Sequence, residues 1–284
     1  MHRQPKPTYQ GRPLPRPDEE LTDQGLGFDL GTLLGRRQLL RAFGAGAATL
    51  GIAACSEPSP ARPGTPAPNR STGGPTVAGS APPAEIPEET QGPFPGDGSN
   101  GPDILERSGV VRKDIRSSLG GSTLSPGVPL DLELTLTGVS GAAVYIWQCD
   151  SNGRYSMYGD GVTQETFLRG VQITDDTGRV GFTTVFPGCY PGRWPHIHFE
   201  VYPDQASITD HRTVLVTSQL AFPQEVCEKV YRLSEYGRSA THLADISLDT
   251  DMVFRDDHAA RQTVTVSGDV TTGYRATLAV PVNA

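Results

Sequence analysis

Residues 129–138, PLDLELTLTG, alternate without a fault. Leu130, Leu132, Leu134 and Leu136 fall on one side, and Asp131, Glu133, Thr135 and Thr137 on the other. A period of two is the side-chain period of an extended chain, and one apolar face backed by one polar face reads as a half-buried antiparallel strand. Further short strands are expected at 143–148, 171–174, 180–186, 196–202, 213–220, 262–266 and 274–280, with turns at Ser151-Asn152-Gly153 and Asp175-Asp176-Thr177-Gly178 between them. A helical spacing, Val226, Val230 and Leu233, follows Pro223. Many short strands, frequent turns and almost no helix predict an all-β fold, an antiparallel β-sandwich with long loops. No internal repeat is visible.

The first third of the 284 residues reads differently. Residues 1–35 are rich in Pro, Arg and Gly with no apolar period, a longer leader than an export signal needs, which points to a start further along the chain. Arg36-Arg37, then Leu39, Leu40 and Arg41, precede an apolar run over 42–54 that ends at Cys55. About 13 apolar or small residues are too few to span a bilayer, which takes roughly 20, and suit the core of an export signal. The paired arginines resemble a twin-arginine signal, and Ile52-Ala53-Ala54-Cys55 resembles a bacterial lipoprotein cleavage site. Residues 56–84 are a Pro/Ser/Gly/Thr stretch too poor in apolar groups to fold. The expected organisation is therefore a twin-arginine/lipoprotein-type signal over 1–54, a tether over 55–84 and a folded domain over 85–284. The exported chain would be anchored at the outer face of the cytoplasmic membrane through a lipidated Cys55, its one membrane contact.

Of 24 basic and 32 acidic residues, 7 and 5 precede Cys55, which leaves 17 against 27 in the remainder. That acidic excess argues against nucleic acid or an anionic membrane surface as partner. Cys149, Cys189 and Cys227 are an odd number, so an exported form has at most one disulfide and one thiol left over; which two pair is open.

Residues 187–202, PGCYPGRWPHIHFEVY, concentrate the chemistry. On a strand His196 and His198 point the same way and can serve one ion. A lone His-x-His is more often structural than functional, but here Tyr190 and Arg193 stand just upstream and a second tyrosine loop carries Tyr155. A phenol, a guanidinium and two imidazoles within nine residues are costly to place in an ordinary core, which favours a metal site.

The segments VYIWQCDSNGRYSMYGDG, TFLRGVQITDDTGRVGFTTVFPGCYPGRWPHIHFEV and TSQLAFP resemble the intradiol ring-cleavage dioxygenases of the catechol and protocatechuate type, in particular their exported single-domain branch. The resemblance runs over about 88–254 and implies a β-sandwich. It makes Tyr155 and Tyr190 phenolate ligands and His196 and His198 imidazole ligands of a non-haem Fe(III), Arg193 the catalytic arginine, and Gln219 a polar group over the substrate ring. The implied reaction is O2-dependent cleavage of a catechol-type ring to a cis,cis-muconate-type diacid, with Tyr190 as the tyrosinate that leaves the metal. Relatives often carry Trp where this chain has Cys189, and a Cys before the GAAV strand that is missing here. The chemistry of the set agrees: two phenolates and one hydroxide balance three positive charges.

Two other readings compete. A lipid-anchored, non-catalytic sandwich binding aromatics or glycans would keep the aromatic residues and need no metal. A zinc or ferrous hydrolase on the histidine pair lacks a carboxylate at ligand spacing. Tyr158, Trp147 and Trp194 are expected in wall, core and rim positions, Asp175 and Asp176 in a turn, and His211, His242 and His258 outside any metal site.

Overall fold

The computed structural model describes Thr8–Tyr9, Arg12–Pro13 and residues 84–283. The two N-terminal dipeptides pair antiparallel with each other. The signal features, Cys55 and the tether up to residue 83 lie outside the described residues. No helix among the described residues is long and apolar enough to cross a membrane.

Eight strands from Pro129 onward build two four-stranded sheets. In chain order they are β1 (Pro129–Thr137), β2 (Ala143–Trp147), β3 (Arg169–Ile173), β4 (Arg179–Val185), β5 (His196–Tyr202), β6 (Val216–Ala221), β7 (Thr265–Asp269) and β8 (Gly273–Pro281). One sheet runs β4-β1-β8-β7 and the other β3-β2-β5-β6. The four leucines of β1 turn inward and meet Val144, Ile146, Ile197, Phe199 and Val201 from the second sheet, so the alternation in the sequence becomes the core of a sandwich.

One ladder departs from the expected antiparallel pairing. β1 pairs antiparallel with β4 but parallel with β8. A parallel pair needs a long crossover, and the chain between these two strands, nearly the whole sandwich, supplies it. The strand expected from 213 begins at Val216, because His211–Thr213 winds into a short 3-10 turn capped by the Asp210 side chain. The helix after Pro223, α1 (Gln224–Val230), stops before Leu233. A second helix, α2 (Ser239–Ala244), was not anticipated; six residues are too few for a helical period to show.

The second sheet is covered on both faces, and every residue of β5 is buried. Its outer face carries Tyr145, Trp147 and Tyr202, over which Phe94, Ile104, Leu105 and Val110 of the leading segment pack. Arg169, fully buried, staples this cover down by donating to the carbonyls of Phe94 (2.8 Å) and Pro95 (2.7 Å) and to that of Ser156 (3.0 Å). The cover also adds to the edge of β6, where Glu89 N donates to Thr217 O at 2.8 Å and Ser218 Oγ to Pro87 O at 2.6 Å.

Candidate metal centre

Because residues two apart on β5 share a face, His196 and His198 both point out of the sandwich core and under the leading segment. His198 stands opposite Trp147 on β2 and Gln219 on β6. The Trp147 ring stacks on its imidazole at 4.8 Å, nearly parallel. Above it passes Gly92, at φ +69°; a Cβ there would stand 3.2 Å from His198 Cε1. The position needs glycine for both its backbone angle and its closeness to the ring.

The tyrosines arrive on turns. Asp150 shapes the first by accepting from the N–H groups of Asn152 and Arg154, each at 2.9 Å, and Tyr155 follows directly. The second turn, PGCYPGR, packs against the first so closely that a Cβ on Gly188 would lie 2.6 Å from Asp150 O. The two tyrosine rings therefore meet edge-on, centroids 5.8 Å apart.

The four expected donors converge. Tyr155 Oη and Tyr190 Oη each lie 3.2 Å from His196 Nε2, and His198 Nε2 lies 3.1 Å from the same atom. Donors bound around one ion at about 2.0–2.1 Å stand roughly 3 Å from each other, which is the spacing found. His196 Nδ1 faces the Trp194 carbonyl and donates to it, so Nε2 offers a single lone pair to three close neighbours. Only one of those neighbours at a time can donate to that lone pair, whereas a single cation can take a lone pair from each of the four. His198 is held by packing, since its buried Nδ1 has no hydrogen-bond partner.

The electrostatics agree. Burial, with Arg193 next, holds His196 down to about 3, and burial, His196 and Arg193 hold His198 well below the ordinary imidazole range; both rings are neutral, the form a metal would need. Burial and the neighbouring Tyr190 push the Tyr155 phenol well up, and burial raises Tyr190 to about 12. Ionising both at neutral pH takes a strongly charged ion beside them. No group of three or more His, Cys, Asp or Glu among the described residues gathers at metal distance, so this centre owes half its donors to phenols. The residues fit a hard, highly charged ion such as ferric iron.

Arg193 lies beside the centre. Its Nε donates to Asp251 at 2.9 Å and its Nη2 to Gln219 Oε1 at 2.6 Å. Gln219 in turn donates to Thr90 O at 2.8 Å, so both ends of its amide are engaged. Asp251 carries no sequence signal for this place. It stands 58 residues from Arg193 in a stretch, LDTDMVF, with no ligand spacing, and only the folded chain brings it in.

Cys149, Cys189 and Cys227 are all buried free thiols, so no pair among them is bridged. Tyr158 locks the cover: its hydroxyl accepts from Gly96 N at 2.9 Å and donates to Asn100 Oδ1 at 2.8 Å. Trp194 is buried, and its ring N–H donates to Phe222 O at 2.9 Å. Asp175 caps its own turn through Thr177. His242 Nδ1 lies 2.7 Å from Cys189 O, behind the Tyr190 turn, and His258 pairs at the surface with Asp249 at 2.8 Å.

A family model described as Dioxygenase matches residues 133–226, the span that holds all four donors, Arg193 and Gln219. A catechol 1,2-dioxygenase of Candida albicans is 36% identical over 81 residues, 25% of this chain and 27% of that protein. The chain thus spans about a quarter of that curated relative. An intradiol ring-cleavage dioxygenase of Tetranychus urticae superposes with a TM-score of 0.53 at 26% identity, over 64% of this chain and 91% of the other. A second dioxygenase structure gives 0.52 at 26% identity, over 64% and 90%. Alongside a sandwich that gathers two phenols and two imidazoles at one point, these comparisons make the chain similar to the intradiol ring-cleavage dioxygenases.

Proposed function

We propose that the folded domain cleaves a catechol-type ring with O2, intradiol, at a non-haem Fe(III) held by Tyr155, Tyr190, His196 and His198, giving a cis,cis-muconate-type diacid. The observation that carries this reading is the convergence of two phenol oxygens and one imidazole nitrogen on His196 Nε2 within 3.2 Å. Ferric iron, when bound, supplies a Lewis acid that draws electron density out of a chelated catechol and so readies a ring carbon for O2.

The chain's own groups divide the remaining work. Tyr155, 2% exposed, is a lasting phenolate ligand. Tyr190 sits at the half-exposed rim, next to the exposed Pro191 and Gly192, and its oxygen is the one placed to take up a substrate proton. Arg193 presents positive charge where negative charge grows on the substrate, a role worth most in a buried site. Gln219 holds the Arg193 fork and ties it to Thr90. The leading segment over His198 excludes water from that side.

A glycan-binding sandwich would offer aromatic platforms to solvent. The exposed large hydrophobics among the described residues are Val111 and Leu124, neither of them aromatic. The proposal extends to export through the Arg36-Arg37 signal and anchoring through Cys55, on the strength of the sequence alone. The twin-arginine route carries folded proteins, so iron could be loaded before export. Cys55→Ser should release the chain from membranes; unchanged membrane retention would remove the anchor.

The test of function is oxygen uptake across a panel of catechols, with the product identified. Purified iron-loaded protein should show a visible tyrosinate-to-iron band and yield muconate-type diacids. A colourless protein without oxygen uptake, or cleavage outside the two oxygens, would overturn it.

A further inference from the structure

Arg193 is a buried cation placed where a trivalent ion and two imidazoles would all resist it. A guanidinium there stays only if a counter-charge holds it, and an unpaired one would turn toward water or another acid. Asp251 is that counter-charge. It is fully buried, and each carboxylate oxygen is used twice. Oδ1 accepts from Val253 N at 2.8 Å and Phe254 N at 3.1 Å, which shapes the Asp251 turn itself. Oδ2 accepts from Arg193 Nε at 2.9 Å and from Trp194 N at 2.6 Å.

The second oxygen therefore grips the chain on the centre's side at two points. Trp194 also accepts from His196 Nδ1, so the residue that Asp251 holds by its N–H holds a metal donor by its C=O. With Nε on Asp251 and Nη2 on Gln219, the guanidinium plane is fixed, and Phe254 lies beside it with the ring centroid 5.8 Å from the guanidinium carbon. Nη1 is left with no hydrogen-bond partner among the described residues. A donor aimed by its neighbours and left free at one corner is what a developing negative charge requires. A second carboxyl within electrostatic reach of Arg193 is that of half-buried Glu89, and it would draw a released guanidinium away.

We propose that Asp251 is a positioning residue that acts through Arg193, fixing the guanidinium so that Nη1 meets the substrate. This rests on the dioxygenase reading above. The effect that runs through Arg193 belongs to turnover and not to metal binding. Asp251→Asn is nearly isosteric and removes the charge.

The experiment is a double-mutant cycle on iron-loaded protein, with iron content, the visible band, melting temperature, kcat and KM all measured. Asp251→Asn should keep iron and the visible band. Its kcat should fall about 10- to 100-fold while KM for catechol changes little, the pattern of a contact made in the transition state. Added to Arg193→Ala it should cost no more than about threefold further, since its route to the substrate is already gone. A loss that multiplies in full, an unchanged kcat, or iron and activity lost in parallel would each overturn the proposal. If Asp251→Asn does not yield folded protein, Asp251→Glu keeps the charge but shifts it by one methylene. An intermediate kcat with full iron would support the proposal, and wild-type turnover would overturn it, as would failure of both variants to fold. A wild-type protein that binds iron but consumes no oxygen with any catechol would instead overturn the dioxygenase reading, and this inference with it.

Discussion

The two halves of the candidate metal centre are held by different forces. His196 and His198 ride on β5, with β2 and β6 paired on either side, so backbone ladders set their places. Tyr155 and Tyr190 ride on two turns pressed together at Gly188, and their places depend on side-chain caps and close packing. Strands buried on both faces open at high cost, and turns open more readily. On the proposed reading the strand half keeps the ion, and the turn half lets the more exposed tyrosine give up its place without unfolding anything.

The largest effect should come from breaking the strand half. His198→Ala should abolish stable iron binding and activity together, exceeding the roughly 10- to 100-fold cost of losing a supporting partner. Metal analysis of the purified variant checks it, and full iron occupancy would remove the distinction between the halves. Arg193→Ala comes next: iron should stay, while turnover falls by roughly 10²–10³. Parallel loss of metal would make Arg193 a structural residue.

The turn half is sharpened by a pair of variants. Tyr155→Phe should weaken iron retention about tenfold more than Tyr190→Phe does, because the buried Tyr155 is the ligand proposed to stay. Competition with a chelator gives the ranking, and the reverse order would exchange the two roles. Smaller still is Gly92→Ala, which places a Cβ against His198 at a left-handed φ. The backbone alone costs about 1–2 kcal/mol. The melting temperature should drop by a few degrees, with a modest loss of iron affinity; an unchanged melt would show that the cover shifts freely.

The smallest effect lies at the rim. Burial raises the Glu89 carboxyl from 4.5 to about 7, partly offset by its bond from Gln262. An acid that holds its proton more tightly when folded contributes stability below its unfolded value, and loses that contribution as pH climbs toward the folded one. Glu89→Gln should therefore flatten the decline in melting temperature between pH 4.5 and 7. Identical pH profiles for the two proteins would show that Glu89 is solvated.

Much of this protein is local in origin. Alternation in 129–138 dictates a one-sided strand because side chains on an extended chain change face at every residue. The same rule puts His196 and His198 on one face whatever surrounds them. Gly and Asp at the turns follow from backbone angles, and the expected fold class follows from the number of such strands.

What only the tertiary structure decided is which distant pieces meet. Tyr155 lies 41 residues before His196, and their closeness depends on two sheets packing and two turns interlocking at Gly188. The parallel pairing of β1 with β8 joins the first and last strands of the sandwich, which no local period encodes. Three thiols that any bridge pattern could have used are buried and unbridged. Asp251 carries no motif at all, and its importance arises because a buried guanidinium must find a negative partner wherever the fold offers one. Periodicity and turn chemistry act over a few residues, whereas charge pairing and close packing are settled across the whole domain.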